Sequence, residues 1–186
     1  MNLRSAILVA CLLQFSVVAA VDGQSRPLSV SAGIELDALP YITGGYFGAA
    51  WVGTGHIRGR ALIAKVNMPE FFVADGFTNN DVLSFAVLAD YYLADDWTGP
   101  WIAAGVVLWD SSIQSDARVE TAKYRSYLLN GSIGYALQLH RSIYVSPWAG
   151  LSLRVAGDSD IRVDGLSFEP RVLNPEASVK FGWVFR

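Results

Sequence analysis

The chain contains one cysteine, Cys11, and two histidines, His56 and His140, in 186 residues. A disulfide framework is thereby excluded, and a zinc centre of the Cys/His kind lacks ligands. Charge is scarce too: Asp, Glu, Lys and Arg make up 17% of the chain, against about 25% in an average soluble domain. No basic run is present, and fourteen Lys and Arg against seventeen Asp and Glu leave a formal charge of −3. A phosphate backbone finds no electrostatic footprint here, so no nucleic acid partner is expected. Beyond the first twenty residues no apolar run reaches the ~20 residues that a helix needs to cross a bilayer. What is abundant is apolar and aromatic surface, 52% and 12% of the residues, far from the composition of a disordered chain. This length suits a single domain.

The N-terminus reads as an address. Arg4 precedes an almost wholly apolar stretch, Ser5 to Ala20, interrupted by Gln14 and closed by Ala19-Ala20. A short positive start, an apolar segment below span length and small residues at its end predict a secretory signal peptide over residues 1–20. Cleavage is expected after Ala20, with a second candidate after Gly23. Leu8-Val9-Ala10-Cys11 has the form of a lipoprotein processing site. A cut there would leave only about six apolar residues before it, short of the roughly 7–15 of a hydrophobic segment. Removal of residues 1–20 takes away Cys11 and the positive charge of Arg4, changing the formal charge from −3 to −4. The predicted mature domain is 24–186 and cysteine-free.

Along that domain the period is two. Leu28, Val30, Ala32, Ile34 and Leu36 alternate with Ser29, Ser31, Gly33, Glu35 and Asp37. Leu83, Phe85, Val87, Ala89 and Tyr91 alternate around Ser84 and Asp90, and Tyr127 to Leu139 repeats the pattern around Asn130 and Ser132. Ile143 to Val155 and Leu173 to Phe185 alternate in the same way, while Arg58 and Arg60 face away from Ile57 and Ala61. A period of two places the two sets on opposite faces of a strand. With Tyr41 to Val52 and Trp101 to Trp109, eight strands of roughly 10–13 residues emerge, long enough to cross a bilayer at a tilt. Tight turns near Gly55, at Ala94 to Pro100 and at His140 to Ser142 alternate with longer polar segments, Asn67 to Asp81, Asp110 to Ala122 and Ala156 to Pro170. Leu39-Pro40 is a short connection where a long one is due. Pro147, inside an alternating run, predicts a bulge near a rim.

Alternation alone leaves open which face meets water. The polar faces carry mostly Ser, Gly, Asn and Tyr, with Glu35, Asp37, Asp90 and Glu176 balanced by Arg58, Arg60, Arg154 and Lys180. A narrow eight-stranded barrel is filled by its own side chains, and charges enclosed there must be paired. These eight residues are therefore expected as barrel-interior ion pairs: Arg58 or Arg60 with Asp90, Arg154 with Glu176, and Lys180 with Glu35 across the closure. Tyr41, Trp51, Trp97, Trp101, Trp109, Trp148, Trp183 and Phe185 lie near strand ends and are expected in two interfacial girdles. The fold class is all-β: a closed antiparallel eight-stranded up-and-down transmembrane β-barrel.

On these alternating segments and the near-terminal Phe185, the chain resembles the small eight-stranded outer-membrane β-barrel proteins of Gram-negative bacteria, the OmpA type. The resemblance covers nearly the whole mature chain. It implies a monomer in the bacterial outer membrane, in contact with outer-membrane lipid, and a C-terminal aromatic read by the barrel-assembly machinery; here Arg186 follows that aromatic.

Catalysis has little to stand on. His56 follows the first tight turn and His140 lies in the third, at the periplasmic rim, whereas the lipid A deacylases and palmitoyltransferases suggested by size and fold keep His and Ser towards the outer leaflet. No Gly-x-Ser-x-Gly or His-Glu-x-x-His motif is present. Asp158, Asp160 and Asp164 lack the spacing of a calcium loop, so neither metal nor cofactor is expected. Eight strands are also too few for a conducting pore. The reading is an integral outer-membrane barrel of structural or interaction type, without catalysis. Its alternatives are a lipid A or phospholipid-modifying enzyme and a soluble periplasmic ligand-binding barrel. Phe71, Phe72 and Phe77 form the candidate loop contact surface.

Overall fold

A computed structural model describes residues 29–94 and 96–185; the signal peptide and its cleavage sites lie outside the described residues. Eight strands form the ring: β1 (Ser31–Asp37), β2 (Tyr46–Thr54), β3 (Ile57–Asn67), β4 (Phe77–Tyr92), β5 (Gly99–Ser115), β6 (Thr121–His140), β7 (Ile143–Gly157) and β10 (Leu173–Phe185). Each pairs antiparallel with its sequence neighbour in the ring, and β1 closes against β10. From Ser31 the registered partners run through Gly53, Arg58, Asp90, Ala103, Ser132 and Gly150 to Glu176. Glu176 lies four residues beyond Lys180, which pairs with Asp37, itself six residues beyond Ser31. One circuit thus climbs ten residues along the strands. That stagger requires strongly tilted strands.

One end of the barrel carries the tight turns, the start of β1 and the end of β10; we call it the turn end. The other, the loop end, carries the longer connections. A short helix, α1 (Ala38–Ile42), joins β1 to β2 where the sequence showed only Leu39-Pro40, and the Asp37 carboxylate caps it by accepting from the Leu39 N–H at 3.2 Å. Pro40 fits because the first-turn N–H groups have no intrahelical partner.

The loops are shorter than the polar segments suggested. β4 starts at Phe77 and β5 runs to Ser115, because once a strand rises out of an apolar slab its residues need not alternate. The segment after β7 folds into a second, two-stranded sheet, β8 (Ile161–Val163) against β9 (Leu166–Phe168). Asp164 (φ 49°) and Gly165 (φ 76°) turn it, both left-handed, as a two-residue type I′ hairpin requires. Pro147 sits in unbroken register opposite Val179 rather than at a bulge, its side chain on the outer face.

The faces are sorted by parity. Ile57, Val87 and Ile133 are 59%, 62% and 63% exposed, whereas Glu35, Arg58 and Asp90 are each 1% exposed. Apolar side chains point outwards all round the ring, and Glu35, Asp37, Arg58, Arg60, Asp90 and Lys180 are enclosed. The aromatics depart from the expected girdles. Tyr41, Trp183 and Phe185 are half exposed, but Trp51, Trp97 and Trp101 are buried inside and Trp148 and Trp109 pack against interior clusters. Trp51, Trp101, Trp109 and Trp148 share their strands' inward parity, and parity outranks nearness to a strand end. These rings fit because glycines face them: a Cβ on Gly33, Gly134 or Gly182 would strike Trp51, Trp101 or Tyr144.

Candidate functional site

The densest chemistry lies inside the turn-end half of the barrel. β1 presents Glu35, β3 presents Arg58 and Arg60 one inward step apart, β4 presents Asp90 and β7 presents Tyr144. Arg58 Nη2 donates to Glu35 Oε1 at 2.6 Å and its Nε to Asp90 Oδ2 at 2.5 Å. Arg60 repeats the pattern, Nη1 to Glu35 Oε2 at 3.0 Å and Nη2 to Asp90 Oδ1 at 2.9 Å. Each guanidinium thus bridges both acids and each acid receives both guanidinia, a closed ring of four charges with no net charge. The Tyr144 hydroxyl donates to Glu35 at 2.5 Å and accepts from Arg58 Nη1 at 2.9 Å. Trp51 and Tyr92 flank the Arg58 guanidinium at 4.9 and 5.0 Å from their ring centroids. Uncompensated burial of one such ion costs several kcal/mol, and here every charge is answered by two of opposite sign, although Arg60 Nε is buried without a hydrogen-bond partner.

The other four charges do not form the expected ion pairs. Lys180 does not bridge to Glu35; its Nζ lies over the Trp101 and Trp148 rings, 4.5 and 4.7 Å from their centroids. Register puts it opposite Asp37, but Asp37 is taken by the α1 cap, by Ser178 Oγ and by Trp148 Nε1 at 2.7 Å. Nor does Arg154 pair with Glu176. Glu176 is registered with Gly150, four residues from Arg154 along β7, and accepts from Ser152 Oγ at 2.5 Å. Arg154 instead donates from Nη1 to the Asp158 carbonyl at 3.1 Å. Sequence parity identifies the inward residues, but their partners follow from the stagger between strands.

Below this network Tyr92, Trp97, Trp101 and Tyr144 continue as a packed aromatic cluster. Trp97 enters it from the β4–β5 turn at a left-handed φ of 63° and packs on Trp51 and Tyr92 at 5.5 and 5.6 Å. Side chains therefore fill this half of the lumen. Among the described residues neither histidine side chain hydrogen-bonds a side-chain hydroxyl. His56 lies at the turn end, its Nδ1 2.9 Å from the Tyr92 carbonyl, and His140 is exposed at the end of β6. Among the described residues no three His, Cys, Asp or Glu side chains gather as metal ligands.

At the loop end Val73, Ile113, Tyr124, Ile161 and Phe168 form a separate apolar cluster, joined by Met68, Phe77 and Ala122. The β8–β9 hairpin is tied on by Ser115 Oγ to Asp164 and by the Asp164 N–H to Glu120 at 3.1 Å. This divides the proposed loop surface. Phe71, 77% exposed, packs at a 42° tilt against the exposed Phe72, with centroids 4.5 Å apart. Phe77 is not part of that surface: it packs on Phe168 at 5.1 Å, because β4 starts there and turns the ring beneath the hairpin.

No family model matches the chain, and no curated protein matches it. Among solved structures it is similar to the N-terminal β-barrel domain of Pseudomonas aeruginosa OprF, with a TM-score of 0.56 and 12% identity over 84% of this chain and 96% of that one. It is also similar to Neisserial surface protein A (NspA), with a TM-score of 0.51 and 11% identity over 83% and 93%. At such identity the likeness is one of fold. The chain has the eight-stranded barrel fold of the OmpA-type outer-membrane proteins.

Proposed function

We propose that this chain is an integral protein of the bacterial outer membrane, a monomeric barrel of structural or interaction type that neither conducts nor catalyses. The observation that carries the reading is the reversed polarity of the wall. Large apolar side chains cover the outside while Glu35, Arg58, Arg60 and Asp90 are sealed within. In water that arrangement would leave an apolar belt exposed and bury charge at a cost; in a bilayer every strand is paired and every outward side chain meets acyl chains. The filled lumen supports absence of conduction, and the turn-end histidines, one held at a backbone carbonyl, support absence of lipid chemistry. Contacts with partners belong to the loop end, where Phe71 and Phe72 are displayed, and the half-exposed Phe185 suits reading by the barrel-assembly machinery.

Fractionation after osmotic shock, followed by electrophoresis of boiled and unboiled samples, tests this. The chain should stay with the outer membrane and migrate differently when unboiled. Release by shock with a single mobility would favour a soluble carrier.

A further inference from the structure

The loop end carries a second feature, on the outer wall rather than in the lumen. A groove of about 790 Å³ runs across the upper parts of β2 to β6 and reaches Gly157 at the end of β7. Strand parity places its charged side chains outside, while the inward Ser111 and Tyr124, each 4% exposed, also line it. Lys65 shares a face with Ile57 and Ile63, Asp81 and Leu83 with Val87, Asp110 with Ile102 and Val106, and Lys123 and Arg125 with Leu129 and Ile133. Charge appears on this face where the apolar band ends, in the next step towards the loops. Cations and acids are interleaved and loosely held. Lys65 and Asp81 are 3.7 Å apart and Arg125 and Asp110 3.4 Å, all four side chains at least 40% exposed. Pairs this exposed contribute little to stability and yield readily to a ligand. Lys123 makes no ion pair among the described residues. Tyr46 and Leu83 flank Lys65 in register on either side, and Tyr127 lies one outward step from Arg125 towards the apolar band.

From this placement we infer that the groove binds the phosphorylated saccharide head group of an outer-leaflet glycolipid. The inference rests on the membrane reading above. Lys65, Lys123 and Arg125 meet phosphate, for which charge-assisted N–H···O bonds are the strongest available contacts. Asp81 and Asp110 accept from sugar hydroxyls, and the acyl chains descend past Tyr46, Leu83 and Tyr127 onto the apolar wall. The acids set the ligand class. Three cations answered by Asp81, Asp110 and Asp158 leave no net positive field to hold a free polyanion, whereas a head group carrying both phosphates and hydroxyl donors matches both signs.

Native mass spectrometry of the folded barrel in detergent tests this with four probes: a phosphorylated, acylated glucosamine disaccharide, its dephosphorylated form, phosphatidylglycerol and inorganic pyrophosphate. The phosphorylated disaccharide should bind at least about tenfold more tightly than any other probe, equivalent to about 1.4 kcal/mol. The variant K65Q/K123Q/R125Q should lose that preference and keep its unboiled gel mobility, while R141Q at the turn end should bind as the parent does. Unchanged binding by the triple variant, equal binding of the dephosphorylated lipid or phosphatidylglycerol, or equal binding of pyrophosphate would each overturn the assignment. If the parent shows no folded, heat-sensitive mobility, the membrane reading itself has failed.

Discussion

Asp90 accepts from two buried arginines, so truncating it strands two guanidinia where water cannot reach. Asp90→Ala should cost about 3–5 kcal/mol, read as a lower urea midpoint for unfolding in lipid vesicles. The pair Arg58→Met with Asp90→Leu should cost less than Asp90→Ala alone, because the remaining Glu35 and Arg60 still neutralise each other at 3.0 Å. A double variant worse than the single would show that the ring is not a balanced unit. Gly182 tests the packing around it. A methyl there meets the Tyr144 ring, whose hydroxyl bridges Arg58 and Glu35, so Gly182→Ala should cost about 1–3 kcal/mol by overpacking in the same assay. At this scale parity was readable: Glu35, Arg58, Arg60 and Asp90 each alternate with outward apolar neighbours. Partner choice was not, because it depends on a stagger accumulated over eight strands. The interior tryptophans were hidden for another reason, since a Trp near a strand end suits a girdle equally well until its parity is compared with that of its neighbours.

Among the elements, the β8–β9 hairpin is an accessory to a barrel whose turn-end core it does not touch. Replacing residues 159–170 by a short turn should leave unboiled gel mobility intact while opening the loop end to protease. Phe168→Ala removes the ring that Phe77 and Tyr124 pack against and should cost about 3 kcal/mol locally, seen as faster cleavage within residues 68–76. Protection unchanged from the parent would mean that the loops are held by something other than this cluster. Six of the eight barrel strands were legible because their two faces have fixed and different environments; Tyr41 to Val52 and Trp101 to Trp109, apolar or glycine on both faces, showed a strand without its orientation, and Tyr41 and Ile42 belong to α1 instead. The hairpin was legible in principle, since Ile161-Arg162-Val163 and Leu166-Ser167-Phe168 flank an Asp-Gly turn, but three-residue strands inside a polar segment carry too little periodicity to stand out. The loop-end extensions of β4 and β5 left no apolar period at all, because their outer face leaves the apolar band and becomes the charged groove.

For the molecule as a whole, closure removes every strand edge of the ring, and the four-charge network with its aromatic neighbours occupies the lumen. Planar bilayers holding the reconstituted protein should therefore show no stepwise current; discrete conductance steps would mean that the interior rearranges. The orientation of the wall is the claim on which the membrane reading, the sealed charges and the external groove all depend. A chain lacking Cys11 offers a direct measurement, because a single spin-labelled cysteine can be moved along β6 from Ser126 to Ile133 in lipid bilayers. Oxygen accessibility should be high at Tyr127, Leu129, Gly131 and Ile133 and low at Ser126, Leu128, Asn130 and Ser132, with a water-soluble nickel reagent excluded from both sets. High nickel accessibility at Leu129 and Ile133, or oxygen accessibility following the even positions, would contradict the account.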